Sequence, residues 1–284
     1  RGGDGSVLPE AGLFHDNDWR ESMFKCSLSL SGYRENLTLN TFLNFGSNVK
    51  FPTLLQQISA PDLLTLEAEF TPNLNPERNN SLELGLLISK DVRSHRSIYG
   101  WQLRGNYFQN HYDNKFRLLV TPGIPIAFYD NAATASISGL EGKGSVFLFH
   151  KKVTAEVGLS RFFISDKAAF PFKSDLKRTF DFIVDHAGYA FQLHLFKEGE
   201  QVGRVRVVKT EPQGTPNVAR RQFADVILPA FSNLDLHLSK SFTIDKLKLF
   251  ANASGRNLLN NSDLVLEGIA IRDRRYYLTV GAQY

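Results

Sequence analysis

Six charged side chains are the ones whose types and spacing suit them for chemistry: Arg104, Glu156, Asp181, His194, Asp235 and His237. Each falls on the polar side of a segment in which apolar and polar residues alternate. Carboxylates, imidazoles and a guanidinium placed this way hold ion pairs and hydrogen bonds, with a ligand or with another part of the protein, or they solvate a polar surface. Other chemistry is thinly represented. Gly139, Gly142 and Gly144 lie close together, but inside a strand pattern and not ahead of a helix, so they read as a glycine kink and not as a phosphate loop. No G-x-S-x-G elbow occurs. The seven histidines (His15, His95, His111, His150, His186, His194 and His237) have no metal-ligand spacing. His194 and His237 are expected on neighbouring strands, where plain polarity explains them. No catalytic residue, metal or cofactor is expected.

The elements that must position these groups are strands. Tyr276, Leu278, Val280, Ala282 and Tyr284 share one face of the C-terminal segment, and Tyr277, Thr279, Gly281 and Gln283 share the other. Leu234, Leu236, Leu238 and Phe242 oppose Asn233, Asp235, His237, Ser239 and Ser241 in the same way. Such a period of two predicts about eleven strands, at 22–31, 36–47, 79–90, 97–112, 133–150, 152–165, 176–185, 188–199, 231–242, 245–255 and 273–284, with 115–120 as a possible twelfth. Several exceed the usual soluble length and approach the ten or so residues that cross a bilayer when tilted.

Composition excludes more than it selects. Hydrophobic residues make up 42% of the 284, an ordinary globular share. No run of 18 apolar residues exists, so no transmembrane helix is predicted. The net charge is +4, but 33 basic residues are interspersed with 29 acids, which argues against a nucleic-acid partner. Cys26, the only cysteine, sits in an apolar alternation and reads as a small hydrophobe.

Predicted connections alternate between short (32–35, 91–96, 151, 186–187, 243–244) and long (48–78, 113–132, 166–175, 200–230, 256–272). That is the habit of outer-membrane barrels. Hydrocarbon offers no hydrogen-bond partner, so spanning strands close on one another, with the apolar face in lipid and the polar face in the lumen. Tyr99, Trp101, Tyr276 and Tyr284, near strand ends, suit the interfacial girdles. If the short turns are periplasmic, an odd strand count leaves residue 1 outside, and the chain is expected to be part of a larger barrel. A basic cluster at Arg204, Arg206, Lys209, Arg220 and Arg221 either solvates its loop or favours an anionic ligand or lipopolysaccharide phosphates. A self-contained passive pore of about twelve strands and a soluble β-sandwich binding module are the competing readings.

The run Pro72, Asn73, Leu74, Asn75, Pro76, Glu77, followed by Leu82, Glu83, Leu84, Gly85 and Leu86, resembles the N-P-N-L-x-P-E and Y-E-L-G signature of TonB-dependent outer-membrane receptors. Phe51–Leu54 is similar to their F-R-x-P-x-L run. Tyr129, Asp130, Asn131 and Ile137, Ser138, Gly139, Leu140, Glu141 are similar to Y-x-N and I-x-G-x-E, and Asn257, Leu258, Leu259, Asn260 to the turn before the last loop. Tyr284 resembles the terminal aromatic of outer-membrane proteins. Leu82 departs from the family's usual Tyr. The resemblance implies an all-β, antiparallel transmembrane barrel of about 22 strands, of which residues 1–284 supply the C-terminal part. It implies uptake of a bulky ligand (a metal chelate, a cobalamin or an oligosaccharide) across the Gram-negative outer membrane. The partners it implies are an N-terminal barrel half, a plug through which TonB acts, and lipid or lipopolysaccharide. The plug and the TonB-contacting box have no counterpart in these residues.

Overall fold

The computed structural model describes residues 19–53, 56, 74–92, 97–120, 127–208, 221–261, 264–266, 269–270 and 273–283. In chain order its strands are β1 (Phe24–Arg34), β2 (Leu37–Lys50), β3 (Glu77–Asp91), β4 (Ile98–Val120), β5 (Ala127–Leu148), β6 (Val153–Ile164), β7 (Leu176–His186), β8 (Tyr189–Glu198), β9 (Gln201–Val208), β10 (Arg221–Leu228), β11 (Phe231–Ile244), β12 (Leu247–Arg256), β13 (Leu264–Leu266), β14 (Ile269–Ala270) and β15 (Arg275–Gln283). Eleven of them form one antiparallel meander, β1 to β8 followed by β11, β12 and β15. These are the eleven strands that alternation predicts. β1 and β15 are the two edges of the sheet.

The long connections differ from expectation. The segment 115–120 is not a further strand but the outer end of β4, which pairs with β5 from Lys115↔Ala132 to Val120↔Ala127. Most of the predicted loop 113–132 is therefore a hairpin projecting past its neighbours. The loop 200–230 holds a second hairpin, β9 with β10, and 256–272 holds the short pair β13 and β14. Ladder hydrogen bonds satisfy backbone groups wherever two such segments run side by side, and loop-like composition does not prevent it.

The short turns need positive φ, and the residues there tolerate it. Glu35 (φ 48°) and Asn36 (φ 68°) join β1 to β2, and Ala187 (φ 51°) and Gly188 (φ 76°) join β7 to β8. Two residues of this kind match the right-handed twist of the flanking strands. Gly188 is fixed twice over, because a Cβ there would stand 2.2 Å from the Ser241 carbonyl oxygen, whose own residue's N–H donates to Gly188 O at 2.7 Å.

Register lines apolar side chains up in rows across neighbouring strands. Leu28, Leu43, Leu84, Tyr107 and Leu140 lie side by side on β1 to β5, and Phe182, Leu193 and Leu236 on β7, β8 and β11. This face is bare: Leu28 is 67% exposed, Val157 58% and Leu278 75%, and no second sheet or helix layer covers it among the described residues. Each such side chain in water forgoes about 1.5–3 kcal/mol of burial, so the face requires an apolar surrounding. The β-sandwich reading is corrected accordingly.

The other face is polar, but Phe42, Phe108, Phe162 and Phe250 interrupt it. Each ring stands against a glycine of the adjacent strand. A Cβ on Gly85 would stand 2.1 Å from the Phe42 ring, and one on Gly139 2.8 Å from both Phe108 and Phe162. Phe250 covers Gly281 in the same manner. Pairing through Gly139, Gly142 and Gly144 runs without a register shift, so these glycines form no bulge in the ladder. At Gly139 the missing side chain makes room for two rings.

At the long-connection end, three segments far apart in sequence are tied together. Glu77 is buried, and its Oε2 accepts from the Phe116 N–H at 2.7 Å and from Lys115 Nζ at 2.8 Å. The Asn75 N–H donates to Asn131 Oδ1 at 2.8 Å, and Asn131 Nδ2 donates to the carbonyls of Asn114 (2.7 Å) and Asn75 (3.1 Å). Lys115 also lies 4.7 Å from the Tyr112 ring centre, and Tyr112 meets Phe170 edge-on at 5.6 Å. Phe170 follows a single 3-10 turn, Lys167–Ala169, whose Ala169 packs with Ala132 and Ala135. The connection after β6 is thereby pinned to the projecting β4–β5 hairpin.

Two outcomes follow for folding into lipid vesicles, measured by denaturant titration. Leu236→Lys places a charge on the bare apolar face and is expected to cost about 2–4 kcal/mol, whereas His237→Lys, on the polar face, costs far less; equal costs would mean the faces are misassigned. Glu77→Ala strands the Phe116 N–H and the Lys115 ammonium in a buried place and is expected to cost about 3 kcal/mol, with Glu77→Gln intermediate; a cost within error of zero would exclude the clamp.

Candidate functional site

Four of the six charged residues singled out by pattern fall on a single row. Ser145 of β5 stands opposite Glu156 of β6, Glu156 opposite Asp181 of β7, Asp181 opposite His194 of β8, and His194 opposite Asp235 of β11. Strand periodicity puts all five on the polar face, and antiparallel register puts them at one level.

Two hydrogen bonds join neighbours within the row, and its end residue is held from outside it. Ser145 Oγ donates to Glu156 Oε2 at 2.7 Å, and Lys143 Nζ lies 2.5 Å from the other oxygen of that carboxylate. His194 Nδ1 is 2.7 Å from Asp181 Oδ1. Asp235 Oδ1 accepts from Asn233 Nδ2 at 3.1 Å and from the Asn257 N–H at 2.9 Å. His194 therefore stands between two carboxylates and is hydrogen-bonded to one of them. His237 stands apart from the row: it is opposite Gln192 and its Nδ1 is 3.0 Å from Ser254 Oγ.

Arg104 lies opposite Lys143, nearer the middle of the face. It belongs to a hollow of about 600 Å³ lined also by Asn106, Glu141, Lys143, Ser160 and Lys177. Lys143 is held by Glu156, and Lys177 by Glu198 at 2.7 Å; Arg104 makes no ion pair among the described residues. A second lateral chain crosses the first four strands, from Ser27 Oγ to Asn44 Oδ1 (2.8 Å), from Asn44 Nδ2 to Glu83 Oε2 (3.2 Å) and from Asn106 Nδ2 to Glu83 Oε1 (3.1 Å). The buried Oδ1 atoms of Asn79, Asn106 and Asn233 have no hydrogen-bond partner among the described residues. Above the hollow, in the connection after β6, Lys173 Nζ lies 4.1 Å over the Phe162 ring; burial holds its ammonium below the usual lysine range, and Lys177 adds to that.

The residues that carry the family resemblance are structural in these surroundings. Asn75, Glu77 and Asn131 form the clamp described above, with Pro76 inside the turn into β3. Glu83 joins two lateral chains of amides, Gly85 and Gly139 lie beneath phenylalanine rings, and Glu141 lines the hollow. Asn257 (φ 52°, 2% exposed) closes its turn with Asn261 at 2.8 and 3.0 Å, while Leu258 covers Gly255. Tyr284 lies outside the described residues, as do Lys209 and Arg220 and the side chains of Arg204, Arg206 and Arg221, so the basic cluster has no structural account. Sequence reasoning missed the clamp partners Lys115, Tyr112 and Phe170; a carboxylate and a lysine 38 positions apart leave no local signal.

No curated protein matches the chain. Several solved structures share its fold. The pyoverdine outer-membrane receptor FpvA from Pseudomonas aeruginosa PAO1, bound to pyoverdine, is 13% identical with a TM-score of 0.58, over 89% of this chain and 35% of that one. The siderophore receptor PirA from Acinetobacter baumannii is 14% identical with a TM-score of 0.55, over 90% and 40%. The copper transporter OprC is 12% identical with a TM-score of 0.57, over 89% and 38%. The chain thus spans well under half the length of these relatives. The family model described as "TonB dependent receptor-like, beta-barrel" matches residues 4–258. An unbroken antiparallel meander, bare and apolar on one face and polar on the other, is the architecture that family describes, and this chain belongs to the TonB-dependent receptor-like β-barrel family.

Proposed function

We propose that this chain is the C-terminal part of the barrel wall of a Gram-negative outer-membrane receptor that takes up a bulky ligand, an anionic metal chelate before a cobalamin or an oligosaccharide. The observation that carries the reading is the exposed, predominantly apolar face over eleven antiparallel strands, backed by a polar face whose charged groups are gathered on rows. The apolar face meets hydrocarbon and the polar face is the lumen. The earlier strands of the barrel pair with β1 and β15, and a plug fills the lumen; TonB acts on the plug and so only indirectly on this chain. Asp181, His194 and Asp235 are placed to hold cationic or amide groups of that plug.

Two features favour the metal chelate. The names of the structural neighbours speak of siderophores and copper. Arg104, which makes no ion pair among the described residues, faces a hollow whose two lysines, Lys143 and Lys177, are held by Glu156 and Glu198, and a free guanidinium there suits an anion. A passive pore closed by this chain alone is disfavoured, because β1 and β15 do not pair with each other among the described residues.

Uptake assays in cells carrying the complete reading frame test the proposal, with an iron-loaded siderophore panel, cobalamin and oligosaccharides compared against a deletion strain. The expected result is iron uptake lost on deletion and reduced about twentyfold by Arg104→Ala, the worth of roughly one charge-assisted hydrogen bond. A deletion strain that takes up every ligand at the parental rate would remove the receptor reading. Steady ion conductance by this chain alone in planar bilayers would favour the pore.

A further inference from the structure

The connection between β6 and β7 does not stand clear of the sheet but runs along its polar face. Its Lys173 Nζ lies 4.1 Å over the ring of Phe162 on β6, and its Phe170 meets Tyr112 of β4 edge-on at 5.6 Å. Its Ser174 is fully buried and donates from Oγ to Glu198 Oε1 of β8 at 2.8 Å. By alternation, Tyr112, Phe162 and Glu198 all belong to the polar side of their strands. Glu198 is also the carboxylate that holds Lys177, and Lys177 lines the hollow around Arg104. The connection therefore reaches the rim of that hollow.

The hairpin of β9 and β10 is laid against the same connection. Phe172 donates its N–H to the Val202 carbonyl at 2.8 Å, and its ring fills the space that a Cβ on Gly203 would need. β9 then pairs with the projecting end of β4 at Val120↔Val205. β9 follows β8, and three strands lie between β8 and β4 in the sheet, so the hairpin bridges across β5, β6 and β7. Arg117 of β4 donates from Nε to Asp130 at 2.8 Å; that bond holds its guanidinium above the ordinary arginine range, and Asp166 of the connection and Asp225 of β10 add to it. Phe172 has φ 60°, a left-handed backbone that a bulky residue keeps only where its surroundings leave it no alternative. Segments that open readily have few buried contacts and exposed backbone bonds. This connection has the reverse: Ala168, Ala169 and Ser174 are all buried.

We infer that residues 165–175 form a constriction fixed to the lumenal wall, which overhangs the hollow around Arg104, stays in place while ligand passes and limits the cross-section that reaches that hollow. The inference rests on the receptor reading above and adds how its hollow is guarded. The constriction is a standing part of the wall and not a lid, because the wall strands β4, β6 and β8 and the β9–β10 hairpin hold it from different sides.

The test uses the complete receptor in cells, carrying Cys26→Ala and the pair Ala135→Cys and Ala169→Cys, whose parent alanines pack together. Folding is checked by heat-modifiable gel mobility and bond formation by thiol labelling. The expected result is a disulfide that forms under mild oxidant without ligand, and uptake of the iron-loaded siderophore panel that changes less than about twofold on reduction. Uptake about tenfold lower in the oxidised form and restored by reductant would mean that the connection must swing open, and it overturns the inference. A folded pair that fails to oxidise overturns it as well. In a second variant a Gly-Ser pair replaces residues 166–174. Bulky siderophores that the wild type excludes are then expected to enter at least about fivefold faster, and a folded variant with an unchanged ligand range excludes the constriction. Wild-type cells that take up no member of the panel would instead sink the receptor reading, while disulfide formation still reports on the connection, so the two failures are told apart.

Discussion

Everything in this chain depends on the need to pair backbone N–H and C=O groups inside a medium that offers no partner. In hydrocarbon an unpaired peptide group costs several kcal/mol, and a continuous antiparallel ladder is how strands avoid that cost. Eleven strands in chain order, each bonded to the next, are the direct expression of it. The period of two then follows without further assumption. Once the ladder is laid, alternate side chains face opposite media, and a slip of one residue would exchange them. That the apolar rows stay in register from Leu28 through Leu140 shows how tightly the pleat and the medium constrain each other.

The two faces divide the remaining work. The apolar face does no internal packing, which is why the buried core is small and gathered at the long-connection end, around Ala132, Ala135, Ala169 and Phe116. The polar face holds lateral chains of amides, carboxylates and imidazoles, with phenylalanine rings laid over glycines where a side chain would otherwise obstruct them. Rigidity comes from the ladder, and the polar groups are held at one level by register more than by their own bonds. Residues so placed form a polar surface whose geometry is set by the ladder.

The long-connection end is organised differently. There the projecting hairpin of β4 and β5, the turn before β3 and the 3-10 turn after β6 are fastened by one buried glutamate, two asparagines and a lysine between aromatic rings. These ties are long in sequence and short in space.

Sequence alone determined the eleven strands, their order, the sidedness of each residue and the membrane class, because alternation is a local consequence of the pleat and needs no knowledge of neighbours. It also picked out Glu156, Asp181, His194 and Asp235 as polar-face charges. That these four share one row was decided by register, which depends on turn length and on pairing across strands and so appears only in the tertiary structure. The same holds for the clamp that joins Asn75, Glu77 and Asn131, for the phenylalanine rings over Gly85 and Gly139, and for the hairpins hidden in what read as loops. A hydrogen bond between residues 56 positions apart leaves no periodic trace, and a polar segment forms a strand wherever a neighbouring segment offers its backbone.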